Sequence, residues 1–468
     1  MYEKNVLPIL PGNHPDPTIV KKDGKFYMTY STGEEKPQLL IWESEDLFTW
    51  KPFAYATDAL RHGIAAPELN EHNGTYYIYV PSEGTNFVLT SKDMRNWSKP
   101  IDLKIGEIDP GFVHDRKAGK NYLHMSQGKM VPLNEDGTRV TGPMEVNYKG
   151  WAFPREWDVE GYLCLESPKL FYREPYYYLV SAEGGTAGPS TSHMCVVARA
   201  ESPTGPWENS PYNPLVHCDS DDETWWTKGH GTAVEDNNGQ WWIIYHAYEK
   251  GHHNLGRQTV MQPLKWLDDG WFMVDEEKSF PDFKPRLPSM SDDFAADTLS
   301  WQWAYTSNLD KSDIRVGNHQ LVIPGKGTEV AEANRVRLLP MHKQYRAQVQ
   351  VTPKDGATGA LMLYFSPHHY MGVGYDGKHL HAWLSTYNRH AVQELDLGDS
   401  CHLRLEKQNQ TARFFYSRDG ETWEKCEVSF DVSGFQHNVY GNYMGIQLAL
   451  TAFTAGEVAF ADFHYDEI

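Results

Sequence analysis

The sequence predicts an all-β protein, a five-bladed β-propeller followed by a β-sandwich. Three observations predict it. Helical periodicity is nearly absent from the 468 residues, and short runs of Val, Ile, Tyr, Phe and Trp recur between Gly, Pro, Asn and Asp. A turn leading into an aromatic strand returns five times. After Trp271 the composition shifts, and strictly alternating strands take over.

The repeated unit reads Asp23-Gly24-Lys25-Phe26-Tyr27, then Asn73-Gly74-Thr75-Tyr76-Tyr77, Gly119-Lys120-Asn121-Tyr122, Glu174-Pro175-Tyr176-Tyr177 and Asn238-Gly239-Gln240-Trp241-Trp242. The steps are roughly 45–65 residues, which at about four strands each is the period of a propeller blade. A second element follows some units, from Ser44 to Trp50, from Ser91 to Trp97 and at Gly205-Pro206-Trp207. A single large sandwich with coincidental turns is the alternative. The stretch from Glu276 to Asp293 is rich in proline and charge and reads as a surface linker. The expected division is therefore a propeller over 1–278, a linker over 279–290 and a sandwich over 291–468. In the sandwich, 346–352 and 402–406 alternate as strands, and Ser417 to Trp423 reads as a hairpin turn with a buried Trp.

Charge and composition narrow the function. Acidic residues number 63 against 43 basic, a net charge of −20. A nucleic-acid binder would carry a basic footprint, and an acidic surface repels polyanions. No stretch approaches the roughly 18–20 apolar residues of a membrane span. The expected partner is a neutral small molecule or neutral polymer, with no nucleic acid and no membrane, and assembly into a homo-oligomer stays open. Five scattered cysteines with no C-x-x-C pair make neither a disulfide scaffold nor a zinc site. Met1 to Asn5 show no secretory leader, so a cytoplasmic location is expected.

Each repeat is preceded by a polar residue at the start of a strand. The segments are His14-Pro15-Asp16-Pro17, Ala66-Pro67-Glu68-Leu69, Ile108-Asp109-Pro110-Gly111, Glu166-Ser167-Pro168-Lys169 and Gly229-His230-Gly231. The innermost strand of every blade lines the axis, so Asp16, Glu68, Asp109, Glu166 and His230 are expected to converge on one mouth. Glycoside hydrolysis needs two carboxyl groups in opposite protonation states, one giving a proton and one taking it. A third carboxylate raises the proton donor's pKa. An oxygen-rich cation site is the other reading of four carboxylates.

These segments, with Pro11-Gly12-Asn13, Glu183-Gly184-Gly185-Thr186 and 255–259, closely resemble glycoside hydrolase family 43 over about 7–274. The tail, ending in Phe460-Ala461-Asp462-Phe463, resembles the concanavalin-A-like C-terminal domain of its β-xylosidase branch. The resemblance implies a five-bladed propeller that inverts the anomeric centre. It implies Asp16 as general base, Asp109 as the carboxylate that tunes and holds the acid, and Glu166 as general acid. It implies His230 as the central histidine, near a calcium or other cation held through bound water; the chemistry itself needs no cofactor. Arg257 matches the arginine of the innermost sugar subsite, and its charge would keep Asp16 ionised. Glu68 and Thr186 are further substrate-binding candidates. The substrate so implied is a terminal β-1,4-xylose, or alternatively a terminal α-L-arabinofuranose.

The chain also departs from the family pattern. Ala65 stands where members often carry a Trp, so a stacking platform is either missing or supplied elsewhere, by Trp226, Trp225 or Phe87. Ser167 replaces a common Gly after the acid. His246 with His252-His253 reads as a solvated loop more readily than as a metal site, His193 as pocket or wall, and Glu68 as substrate contact or strand bond with equal weight. A β-mannoside phosphorylase is disfavoured because no basic cluster for phosphate flanks the motifs.

Overall fold

A computed structural model describes residues 4–158 and 163–468, apart from the side chain of Val428. Met1 to Glu3, at the head of the stretch inspected for a leader, lie outside the described residues. The chain forms two compact units, one of 1–250 with 257–287 and one of 251–256 with 288–468. The proline-rich stretch folds back on the first unit as far as Leu287. There the Phe280 amide donates to the Lys4 carbonyl at 2.6 Å, and Phe280 packs against Trp242. Among the described residues, helix is confined to one α-turn, His437–Tyr440, and five 3-10 turns.

The first unit is a five-bladed propeller. Blade 1 runs Thr18–Lys22, Lys25–Thr29, Gln38–Ser44 and Lys51–Thr57, and blade 2 runs Glu68–His72, Thr75–Ser82, Thr85–Ser91 and Ile101–Asp102. Blade 3 is Gly111–Asp115, Lys120–Met125, Lys129–Leu133 and Glu145–Val146; blade 4 is Glu166–Arg173, Tyr176–Glu183, Met194–Ala200 and Glu208–Asn209. Blade 5 is Trp225–Glu235, Trp241–Glu249 and Gln258–Trp266, with Phe272–Val274 on the outer half of the last strand. The strand Leu7–Leu10 pairs with that same strand, Leu7 opposite Met261, so the chain start closes the ring.

The repeated turns join the first and second strands of each blade. Asp23 and Gly24, and likewise Asn73 and Gly74, both have positive φ, as a two-residue hairpin with right-handed strand twist requires. The segments from Ser44 and Ser91 are one module used twice. Ser Oγ accepts from the third amide on (Leu47 at 2.9 Å, Met94 at 2.9 Å), and the Trp indole N–H donates to that residue's carbonyl (Leu47 at 2.8 Å, Met94 at 3.0 Å). The stretch from Ser417 makes the same pattern in the second unit, with Trp423 half-buried under Arg404.

Neighbouring blades are held face to face by apolar layers, for example Leu39 and Ile41 against Ile78, Val80 and Leu89. Such burial contributes about 25 cal/mol per Å². The ring geometry shows in one recurring backbone position at the mouth end of each blade. Asp16, Ala66, Asp109, Ser167 and His230 all take left-handed φ, between 39° and 58°, and in the first four a proline follows. These five are the equivalent positions. Glu68, expected among them, lies two residues deeper in its strand, and Glu166 stands one residue before its blade's equivalent.

The second unit is a sandwich of two seven-stranded antiparallel sheets. Along Tyr345–Lys354, Tyr345, Ala347, Val349 and Val351 are buried while Arg346, Gln348 and Gln350 are not, the period-2 pattern of a half-covered sheet.

Gly111 marks where blades 3 and 4 approach most closely. A Cβ there would lie 1.7 Å from the Pro168 carbonyl oxygen, a backbone atom with no freedom to yield. Gly111→Ala is expected to cost about 3 kcal/mol or more, read as a drop in the urea midpoint; an unchanged midpoint would contradict the close approach.

Candidate active site

The ring brings Asp16, Asp109, Glu166, His230 and Arg257 into one cluster in the first unit. Asp16 sits where the chain start meets blade 5. The His14 amide donates to the Arg257 carbonyl at 3.0 Å, and the Arg257 amide to Asn13 Oδ1 at 3.3 Å. This pairing lays the guanidinium on the carboxylate, Nη1 to Oδ1 at 2.7 Å. His246 Nδ1 lies 2.9 Å from the same oxygen, and Ser31 Oγ donates to Oδ2. Ser31 Oγ also accepts from the Ala66 amide at 2.6 Å, which ties the second blade to the same carboxylate.

His230 stands between the carboxyl groups. Its Nδ1 is 3.4 Å from Asp16 Oδ1, and its Nε2 is 2.8 Å from Glu166 Oε1 and 4.0 Å from Asp109 Oδ2. Asp109 Oδ2 accepts from the Ser167 amide at 3.1 Å, linking the third carboxyl to the residue after Glu166. Asp16 and Glu166 therefore flank one imidazole. One carboxyl stands at each ring nitrogen, Asp16 at Nδ1 and Glu166 at Nε2. Glu166 is the most open of the group, its side chain 21% exposed against 5% for Asp16 and 3% for Asp109.

Burial and charge set the protonation states. Burial pushes the Asp16 carboxyl up, but Arg257, with His230 and His246, overrides it and holds the group well below the usual carboxylate range. Asp109 goes the other way, to about 7, through burial and the charges of Glu166 and Asp16, with His230 pulling against them. For His230, burial works against the charged form, but the Asp16, Glu166 and Asp109 carboxylates prevail and lift it to about 9. The cluster thus pairs an ionised carboxylate with a proton-holding group beside the opposite carboxyl.

Of the other candidates, Thr186 and Glu68 connect to this centre, whereas Trp226, Trp225 and Phe87 make their contacts elsewhere. Thr186 Oγ1 is 3.1 Å from His246 Nε2. Glu68 is buried and paired with Lys169 Nζ at 2.8 Å, and it also accepts from Thr18 and Asn70. Trp226 is half-buried on its strand, its indole N–H donating to the Glu223 carbonyl at 2.9 Å. Trp225 and Phe87 pack into and against apolar layers. His246, expected in a solvated loop, is instead fully buried on Trp241–Glu249, because alternation along that strand turns it toward Asp16. His193 is also fully buried, its Nδ1 2.7 Å from the Gly184 carbonyl and its Nε2 3.8 Å from Glu166. Ser31 and Lys169 carried no signal as site residues; a Ser in a strand and a Lys after a proline are too common to single out.

Among the described residues, two groups offer metal-ligand atoms within 4.8 Å of one another: Asp16 with His230 and His246, and Glu166 with His193 and His230. Both are rich in nitrogen, which suits first-row transition ions, whereas calcium takes six to eight oxygens. A protonated His230 also has no lone pair to give. These side chains do not make a direct calcium cage, and no step below runs through a metal.

The Glu183-Gly184-Gly185-Thr186 segment holds His193 and His246 from behind. Burial pushes the Glu183 carboxyl up to about 8, against a bond from the Trp151 amide at 2.6 Å. A carboxyl raised in the folded state contributes stability that is full below its unfolded pKa of about 4.5 and is lost as pH rises toward 8. Glu183→Gln mimics the protonated form. It is expected to match wild-type stability near pH 4 and to exceed it near pH 8 by up to about 3 kcal/mol. Urea unfolding at both pH values checks this, and a pH-independent difference would contradict it.

Comparisons with known proteins bear on the family and the fold. The family described as "Glycosyl hydrolases family 43" matches residues 6–272, and "Beta xylosidase C-terminal Concanavalin A-like domain" matches 291–468. The "Non-reducing end alpha-L-arabinofuranosidase BoGH43B" of Bacteroides ovatus is 29% identical over 64% of this chain and 61% of its own length. The "Xylosidase/arabinosidase" of Butyrivibrio fibrisolvens is 32% identical over 57% and 56%. The chain thus spans about three-fifths of the length of these curated relatives. Among solved structures, the GH43 BlXynB protein from Bacillus licheniformis is 26% identical, with a TM-score of 0.88 over 99% of this chain and 100% of that one. With its propeller matched almost from end to end, and its sandwich with it, the chain belongs to glycosyl hydrolase family 43.

Proposed function

We propose that the protein is an inverting, exo-acting glycoside hydrolase that releases terminal xylose from β-1,4-xylo-oligosaccharides. The observation that carries this reading is the opposed placement of Asp16 and Glu166 about His230. Glu166 gives its proton to the glycosidic oxygen as the bond to the anomeric carbon breaks. A water on the opposite face adds to that carbon and passes its proton to Asp16. Arg257 keeps Asp16 ionised and orients the terminal sugar. The second reading, an α-L-arabinofuranosidase or a bifunctional enzyme, is favoured by one relative named an α-L-arabinofuranosidase and another named for both activities. A cytoplasmic setting, with short oligosaccharides as substrates, accords with five free cysteines.

Proton NMR of early hydrolysis is expected to show the product with its anomeric configuration inverted; retention would exclude the mechanism. Asp16→Asn and Glu166→Gln are each expected to lower kcat about 10³-fold. Parallel assays on aryl β-xyloside and aryl α-L-arabinofuranoside decide between the two substrates. The rate–pH profile should be bell-shaped, its alkaline limb marking loss of the proton held between Asp109 and His230. Asp109→Asn removes a negative charge and is expected to move that limb to lower pH by about one unit.

A further inference from the structure

Two residues beyond each left-handed mouth residue, the inner strands carry Thr18, Glu68, Gly111, Lys169 and Thr232. Hydrogen bonds that run from blade to blade at this level place them in a second tier next to Asp16, Asp109 and His230. All five are buried. The tier is bonded nearly all the way round. Thr232 Oγ1 donates to the Pro17 carbonyl at 3.0 Å, and Thr18 Oγ1 to Glu68 Oε2 at 3.2 Å.

Lys169 completes it. The residue belongs to blade 4, yet its Nζ donates to the Pro67 carbonyl at 2.9 Å, to Glu68 Oε2 at 2.8 Å and to the Pro110 carbonyl at 3.2 Å. Blades 2 and 4 are not neighbours, so this side chain crosses the central hole. Its acceptors are two backbone carbonyls and a carboxylate, the oxygen set a cation takes. The Pro110 carbonyl immediately follows Asp109, and Lys169 lies three residues after Glu166. One ammonium therefore grips the backbone that carries both carboxyls.

We propose that Lys169 is a positioning residue whose ammonium serves as a built-in axial cation, with Glu68 as its counter-ion. It holds blades 2, 3 and 4 together so that Asp109 and Glu166 keep the spacing bridged by the Ser167 amide. The proposal rests on the reading of these two carboxyls given above, and it assigns Glu68 to the tier rather than to the sugar.

The test compares Lys169→Met, Glu68→Gln and the double variant, assayed well below their unfolding temperatures. Lys169→Met is expected to lower kcat about 10–100-fold, because small misplacements of catalytic groups cost that much, while KM moves less than about threefold. The double variant leaves no buried charge unpaired and is expected to regain stability without regaining kcat. A folded Lys169 variant with wild-type kcat overturns the proposal, as does a kcat loss that merely tracks the unfolded fraction. If neither Lys169 variant folds, Glu68→Gln decides: a fall in kcat of about threefold or more at constant KM supports the proposal, and wild-type kcat overturns it. Wild type inactive on every glycoside sinks the underlying reading instead.

Discussion

Ring closure is the constraint on which the site depends. The strand Leu7–Leu10 pairs with Gln258–Trp266, and this alone brings Arg257 onto Asp16, 241 positions away in sequence. Without that pairing, Asp16 would be a buried carboxyl with its main counter-charge removed. With it, the carboxylate is fixed from three sides by Arg257, His246 and Ser31. An open sheet would spread the same strand starts along an edge. A closed one turns them toward a common axis, where groups from every blade meet.

Once gathered, the carboxyls cannot all behave alike. Asp16, Asp109 and Glu166 crowd around His230, and like charges at such range oppose one another. Arg257 breaks the symmetry by favouring the ionised form of Asp16, while Asp109 rises to about 7 and His230 to about 9. One carboxylate is committed to the charged form and protons are retained on the far side of the imidazole. That asymmetry is what acid–base chemistry on a glycosidic bond needs.

Much of the architecture was legible because local chemistry repeats. Asp23-Gly24 and Asn73-Gly74 report strand ends, since both residues of each pair accept positive φ. The Ser-to-Trp modules are likewise local, closed by hydrogen bonds within seven residues, so their sequence is nearly their structure. Asp16, Asp109, Glu166, His230 and Arg257 stood out because each lies in a distinctive motif, and the structure brings all five together. The alignment slipped where composition misled it. Glu68 matched the expected residue type but sits one strand repeat deeper, where its partner is Lys169. His246 looked like part of a histidine-rich loop, although strand alternation turns it inward.

The sequence by itself determined the blades, their turns, the change to alternating strands in the second unit and the residues able to move protons. These follow from short-range rules, in which a few neighbouring residues decide φ, hydrogen bonding and side-chain face. Only the tertiary structure decided which oxygen meets which nitrogen. The Arg257 grip on Asp16, the His230 bridge to Glu166, the buried support from Ser31, His193 and His246, and the reach of Lys169 across the axis join separate blades. Such contacts depend on the twist and closure of the whole ring, which no local stretch of the chain encodes.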